Sequence, residues 1–103
     1  MHLGELKRRL DQIAWHEQVE QEMGERALGS PADPALVETE LIALAGSVDS
    51  ALLDALEREG GYVVWTLRLA AIVEPAGVQQ RALRHVDDAN WRLRHWARLL
   101  AQC

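Results

Sequence analysis

At 103 residues the chain has the size of one small domain, and its hydrophobic (49%) and charged (26%) fractions are those of a folded protein rather than a disordered one. The net charge is −5, no apolar run approaches the roughly 20 residues of a membrane span, and the single cysteine, Cys103, excludes an internal disulfide. Because the opening stretch MHLGELKRRLDQ carries charges where a signal peptide is apolar, we predict a cytoplasmic protein without membrane contact.

The N-terminal half of the sequence predicts three helices and one loop. Its first leucines recur three and four residues apart, which is the spacing of one helix face. The stretch GSPADPA has loop composition, with Asp33 as a cap and Pro34 at the first helical position. Asp49 or Ser47 suits the cap of the third helix. The predicted elements are a long helix over 3–27, a loop over 29–34, and helices over 34–45 and 50–59.

The stretch GGYVVWTLRLAAIV at residues 60–73 permits two interpretations. Its tyrosine, valines and tryptophan favour a strand, whereas its length favours a helix. We predict a helix over 61–73, apolar on every side because neighbouring helices surround it. Pro75 suits the first turn of the next helix, and Asp87-Asp88 suit the cap of the last one. The remaining predicted helices span 76–86 and 89–101.

A shift of 27 residues aligns the chain with itself without gaps from residue 39 to 100. Thr66 then falls on Thr39, and Ala97 falls on Ala70. The helix-breaking residues align as well, because Gly60-Gly61 falls on Asp87-Asp88. The six predicted helices therefore form three successive helical hairpins within a single all-α domain over residues 1–103.

The last hairpin, ALRHVDDANWRLRHWARLLA, resembles the HEAT-like repeats of the α-solenoid family. The resemblance lies in a leucine-bearing first helix, an acidic turn at Asp87-Asp88, and a second helix with Arg94 in the family's position. The middle unit departs from this pattern, since Gly60-Gly61 replaces the acidic turn and Leu67 replaces the arginine. The resemblance covers about residues 39–100 and implies a short stacked solenoid whose faces bind another macromolecule. The alternative is a compact helical bundle, which explains the same amphipathic helices without a repeat.

Charge is distributed unevenly along the chain. Residues 10–60 hold twelve acidic and two basic residues (net −10), whereas residues 61–103 hold three acidic and six basic residues (net +3). Complementary charges within one fold, or between copies of it, explain this asymmetry. The alternative is a basic end that meets an acidic partner. Of the two, we favour complementarity.

Two groups of polar residues invite a chemical interpretation. The stretch WHEQVE begins like the HExxH motif of zinc proteases, but Glu20 replaces the second histidine, so His16 and Glu20 form only half of a metal site. His85 and His95 flank Asp87-Asp88, where helix capping explains the aspartates better than acid–base catalysis does. The sequence has no nucleophile-elbow, phosphate-loop or dinucleotide-binding motif. We therefore predict no enzymatic activity, no cofactor and no metal.

The helix predicted over 89–101 carries the candidate binding residues. On a helical wheel its core-facing residues are Leu93, Trp96, Ala97 and Leu100. Trp91 lies nearly opposite them and among cations, so we predict it to be a binding residue; the alternative is packing against the preceding connection. The predicted partner-binding residues are Trp91, Arg94, His95 and Arg98, since tryptophan and arginine dominate the energetics of protein interfaces.

These observations favour a non-enzymatic interaction module. It would be a small adaptor or regulator that binds another protein, or a second copy of itself, through the C-terminal helix. The alternative function, suited to a bundle, is a dedicated chaperone or inhibitor of the secretion- or toxin-system type. The net charge of −5 argues against nucleic acid as the partner.

Overall fold

The structure is a computed structural model that describes the backbone of residues 1–26 and 34–102 and the side chains of residues 1–18 and 37–102. Its described residues form an all-α fold without strands, as predicted. The radius of gyration of 14.1 Å is close to the ~13 Å of a compact domain of this length. The helices are α1 (Leu3–Arg26), α2 (Pro34–Ala45), α3 (Ser50–Glu57), α4 (Val63–Val73), α5 (Val78–Leu83) and α6 (Trp91–Ala101).

Helix α4 is the central element, and it resolves the ambiguity of the stretch at residues 60–73. It packs against α2, α3, α5 and α6, so the predicted surrounding by other helices is correct. Leu67, Leu69 and Ala70 are fully buried, and so is Thr66, whose hydroxyl donates to the carbonyl of Tyr62 at 2.9 Å. Thr66 is the only polar residue among the buried residues of α4. Because this local hydrogen bond satisfies its hydroxyl, no other helix has to supply a partner.

The hydrophobic core consists of two clusters that meet at α4. The larger one joins α1, α2, α3 and one face of α4, and it includes Val78 of α5. The smaller one joins the other face of α4 to α5 and α6, and its buried residues are Val63, Leu67, Ala82, Leu93 and Ala97. Helix α6 is therefore attached to the rest of the protein through α4 and α5.

In the C-terminal half, both predicted ends of α5 and the predicted cap of α6 are wrong. The helix predicted over 76–86 is shorter, because Pro75 lies in a turn before α5 and residues 84–87 form turns after it. The cap of α6 is Asn90 rather than Asp87-Asp88: its side-chain oxygen accepts from the backbone N–H groups of Arg92 and Leu93. Asp88 contributes indirectly, by accepting from the N–H of Asn90 at 2.8 Å.

The N-terminal elements follow the prediction closely. Helix α1 covers Leu3–Arg26 of its predicted range, whose last residue, 27, lies outside the described residues, and α2 covers Pro34–Ala45 as predicted. The predicted loop at 29–34 and the cap at Asp33 lie outside the described residues, apart from Pro34. Asp49 caps α3 by accepting from the N–H of Leu52 at 2.8 Å, so the first of the two cap candidates is correct.

Ion pairs within the fold account for part of the uneven charge distribution. Arg68 of α4 pairs with Glu17 of α1 at 3.1 Å and with Glu38 of α2 at 3.2 Å. Arg81 of α5 pairs with two acidic residues of α3. These contacts join the basic C-terminal half to the acidic N-terminal half, as expected for complementary charges. Within the described part of the chain, no helix combines the length and hydropathy that a membrane crossing requires.

Candidate binding surface on the C-terminal helix

Packing fixes which side of α6 faces solvent. Leu93 and Ala97 are buried against α4 and α5, as the helical wheel predicts. Trp91 is 67% exposed and Leu99 is 50% exposed on the outward side. Exposed aromatic and aliphatic groups of this size on a helix end are typical of an interaction site.

All four predicted binding residues line one shallow hollow. Its volume is about 410 Å³, and it runs along the outward side of α6. The lining residues are Trp91, Arg94, His95, Arg98, Leu99 and Gln102. The structure thus brings the predicted residues together and adds Leu99, which was not among the predicted binding residues.

A second and larger hollow, of about 750 Å³, lies between α6, α4 and α1. Trp65 and Trp96 give it aromatic walls, while Glu17 of α1 adds a carboxylate. Trp91 and His95 line this hollow as well as the first, so they form a ridge between the two. We use the name α6 surface for Asn90, Gln102 and the residues of α6 that line either hollow, which are Trp91, Arg92, Arg94, His95, Trp96, Arg98 and Leu99.

Arg68 holds the aromatic walls of the second hollow in place. Its guanidinium lies 4.6 Å from the ring centre of Trp65 and 4.9 Å from that of Trp96. The same group pairs with Glu17 and Glu38, and its side chain is only 9% exposed. Cation–π contacts of this kind are worth about 0.5–2 kcal/mol each, depending on desolvation. Arg68 therefore links Trp65 and Trp96, and its charge is already paired with carboxylates within the fold.

Two of the predicted binding residues also have a structural role, which the sequence did not indicate. Arg98 donates from Nε to the carbonyl of Val86 at 2.9 Å, and Arg94 donates from Nη1 to the carbonyl of Asp88 at 3.3 Å. Both carbonyls belong to the connection before α6. These arginines fix the orientation of α6 and present their remaining N–H groups at the surface.

Trp91 and His95 differ from these arginines. Trp91 makes a cation–π contact with Arg92 at 5.8 Å, and His95 meets the ring of Trp96 edge-on at 6.3 Å. Packing of Trp91 against the connection, the alternative for this residue, would bury it, whereas two thirds of its surface is exposed. The ridge of the α6 surface is therefore open to solvent.

Apart from His95, the residues considered for chemistry lie elsewhere and form other contacts. His16 meets the Glu40 carboxylate of α2 at 3.2 Å, while the side chain of Glu20 lies outside the described residues. The Nε2 of His85 lies 3.9 Å from the carboxylate of Glu57. Among the side chains that the structure describes, no three histidine, cysteine or acidic groups converge as a metal site would require.

Comparison with known proteins assigns no family to the chain. It matches no protein-family model, no curated protein and no solved structure. The resemblance to HEAT-like repeats rests on the residues of this chain alone, and it stays a prediction together with the functions that it implies.

Proposed function

We propose that this protein is a non-enzymatic interaction module, an adaptor or regulator that acts in the cytoplasm and binds another protein through the α6 surface. The observation that carries the proposal is the position of Trp91, which is 67% exposed on the ridge between two hollows. A tryptophan with this much free surface in the centre of a patch is the usual source of binding energy at protein interfaces.

The alignment of the chain with itself at a shift of 27 residues, the 27-residue register, supports the proposal that one face of α6 is uncovered. In this register Val64 corresponds to Trp91, and Leu67 corresponds to Arg94. Val64 and Leu67 belong to the face of α4 that packs in the cluster with α6. The corresponding face of α6 is the α6 surface, where a following helical hairpin would stack in a longer array. A partner would take the place of that hairpin.

The helix contacts also favour a short stacked arrangement over a bundle. Consecutive helices pack in the pairs α1–α2, α3–α4 and α5–α6, and stacking contacts join α1 to α3, α2 to α4 and α4 to α6. Ala70 and Ala97, which correspond in the register, are both fully buried. Ala43, the corresponding residue of α2, is exposed, consistent with a first unit that matches the repeat least well.

A capture experiment in the native host tests the proposal. The wild-type chain and the variants Trp91→Ala and Trp15→Ala serve as bait, with mass spectrometry of the bound proteins. Trp15 is 62% exposed on α1, so it is a matched control for the loss of an exposed tryptophan. We expect Trp91→Ala to weaken partner binding by about 2 kcal/mol or more, roughly 30-fold in Kd, and Trp15→Ala to leave it unchanged.

The same samples separate the alternatives. Both variants should keep the wild-type helical circular dichroism spectrum, because neither side chain is in the core. One stoichiometric partner would favour a dedicated chaperone or inhibitor, whereas several partners would favour an adaptor. If light scattering gives the mass of two chains, the partner is a second copy of this protein. Retention of all partners by Trp91→Ala, or an equal loss with Trp15→Ala, would contradict a binding role of the α6 surface.

A further inference from the structure

We infer that the α6 surface accepts an acidic, amphipathic helical segment of a partner protein. This inference rests on the proposed function and adds the chemistry of the partner to it. Three features of the described residues support it: cations with a weak carboxylate contact or none, the apolar groups between them, and their spacing along the helix.

The cations of α6 differ in their ion pairs from Arg68 and Arg81, the buried or half-buried arginines of the neighbouring helices. Arg68 and Arg81 each pair with carboxylates of other helices at 3.2 Å or less. Helix α6 holds three arginines and one histidine but no acidic residue. Among the described side chains, no carboxylate pairs with Arg92 or Arg94.

Arg98 has only a weak acidic contact. Its guanidinium lies 3.7 Å from the carboxylate of Asp87, which is 92% exposed. An exposed pair at this distance is worth little in water and is easily replaced. The α6 surface therefore retains positive charge for a partner, although the protein as a whole carries −5.

Apolar groups alternate with these charges in a helical register. Trp91, His95, Arg98 and Gln102 follow one another at spacings of three and four residues, with Leu99 beside them. At 1.5 Å per residue the strip from Trp91 to Gln102 is about 16 Å long, or three turns. A partner helix that lies along this strip would bury its apolar residues against Trp91 and Leu99, which is the usual mode of helix recognition in a groove. Its acidic residues would then lie beside the arginines of α6.

A nucleic acid fits this surface less well than an acidic peptide does. Phosphate backbones are bound by an extended positive field. Here the positive strip is three turns of one helix, and the adjoining hollow includes the carboxylate of Glu17. A peptide places a few charges at the arginines only, so it avoids repulsion from the acidic remainder of the protein.

An unbiased peptide selection tests the inference. A phage library of random 16-residue peptides is depleted on the immobilised Trp91→Ala variant and then selected on the wild-type chain. We expect the enriched sequences to be acidic, with apolar residues at spacings of three and four. For an enriched peptide made synthetically, replacing Glu and Asp by Gln and Asn should weaken binding by about tenfold, consistent with the loss of several charge pairs.

Variants of the protein then locate the charge effect. Arg92→Gln should weaken the acidic peptide by about threefold, the usual scale of one exposed charge pair, and leave the amide peptide unaffected. Arg58→Gln is the matched control, since Arg58 is an exposed arginine at the end of α3. It should leave the affinity for both peptides unchanged.

Three results would overturn the inference. An acidic linear segment is excluded if the enriched peptides are neutral or basic, or if no peptide depends on Trp91. The proposed function is still supported in that case if a captured partner is lost with Trp91→Ala. Tighter, Arg92-dependent binding of fluorescein-labelled dT20 or U20 than of any selected peptide would assign the surface to nucleic acid. If both tryptophan variants still capture every partner, the proposed function itself is wrong.

Discussion

Arg81 is the residue on which three acidic side chains converge. Its guanidinium, in a side chain that is only 5% exposed, bonds Glu74 at 2.7 Å, Asp54 at 2.9 Å and Glu57 at 3.1 Å. Burial by itself would lower the pKa of Arg81, but the hydrogen bonds to Glu74, Asp54 and Glu57 outweigh it and raise the pKa above its usual value. Arg81 therefore stays charged and ties α5 to α3 and to the end of α4.

Replacing Arg81 tests this role. We expect Arg81→Met to lower the free energy of unfolding by about 3 kcal/mol, because carboxylates that are partly buried lose their counter-charge. Arg84→Met is the control, since Arg84 pairs with Glu57 at a similar distance but is largely exposed, and it should cost less than about 1 kcal/mol. Urea denaturation of both variants measures the difference. Equal losses would mean that burial does not set the strength of these pairs.

Tyr62 makes stability depend on alkaline pH. Its hydroxyl donates to the carboxylate of Asp11 at 2.9 Å, and this hydrogen bond raises the pKa of Tyr62 above 10.0, helped by desolvation and by the charges of Asp11 and Glu59. A group with a raised pKa in the folded state stabilises the fold while it is protonated, so this contribution is present below pH 10 and is lost as the pH rises through the folded pKa.

We therefore expect the wild-type chain to lose stability more steeply above pH 10 than Tyr62→Phe does. Below that pH the variant should be less stable by about 1 kcal/mol, the net worth of one hydrogen bond to a charged group in a partly exposed place. Thermal unfolding followed by circular dichroism from pH 7 to pH 11 measures both curves. Parallel curves over the whole range would show that the hydrogen bond to Asp11 does not contribute.

At the scale of the element, α4 determines the architecture, and its burial can be tested at two positions. Leu67 packs in the smaller cluster with α6, and Leu69 packs in the larger cluster with α1, α2 and α3. Truncation of either to Ala should cost about 2–5 kcal/mol, the usual range for a vacated core site. Ile72→Ala, on the more exposed side of α4, should cost clearly less in the same denaturation experiment. A cost well below 1 kcal/mol at both leucines would mean that α4 is peripheral.

The sequence predicted the positions of the helices better than their ends. Hydrophobic spacing together with caps and helix-breaking residues located the helices, segment length decided for α4, and the period of a single helix gave the outward side of α6. The cap of α6 at Asn90 was missed, since Asp87-Asp88 have the same chemistry and only the path of the connection decides between them. The contacts of Arg68 with Glu17 and Trp96 join residues distant in sequence, so no local pattern indicates them.

At the scale of the whole molecule, the two core clusters divide the protein unequally. Buried residues of α1, α2, α3, α4 and α5 share the larger cluster, whereas the buried residues of α6, Leu93 and Ala97, lie in the smaller one. In a stacked arrangement, each unit gains its stability from its neighbours, so the terminal unit opens most easily. In a bundle with one cooperative core, all helices open together.

Native-state hydrogen exchange distinguishes these arrangements and bears on the α6 surface. In a stack, we expect Leu53→Ala, at a fully buried position of α3, to speed exchange of the α3 amides by about 30-fold, corresponding to about 2 kcal/mol for a truncated core leucine, and to leave the α6 amides unchanged, because α6 opens without the larger cluster. Leu93→Ala should speed exchange of the α6 amides to a similar extent, because it removes a core contact of α6. If Leu53→Ala instead speeds exchange of the α6 amides as much as that of the α3 amides, the protein is one cooperative bundle. The α6 surface would then be a face of that bundle rather than the open end of a stack.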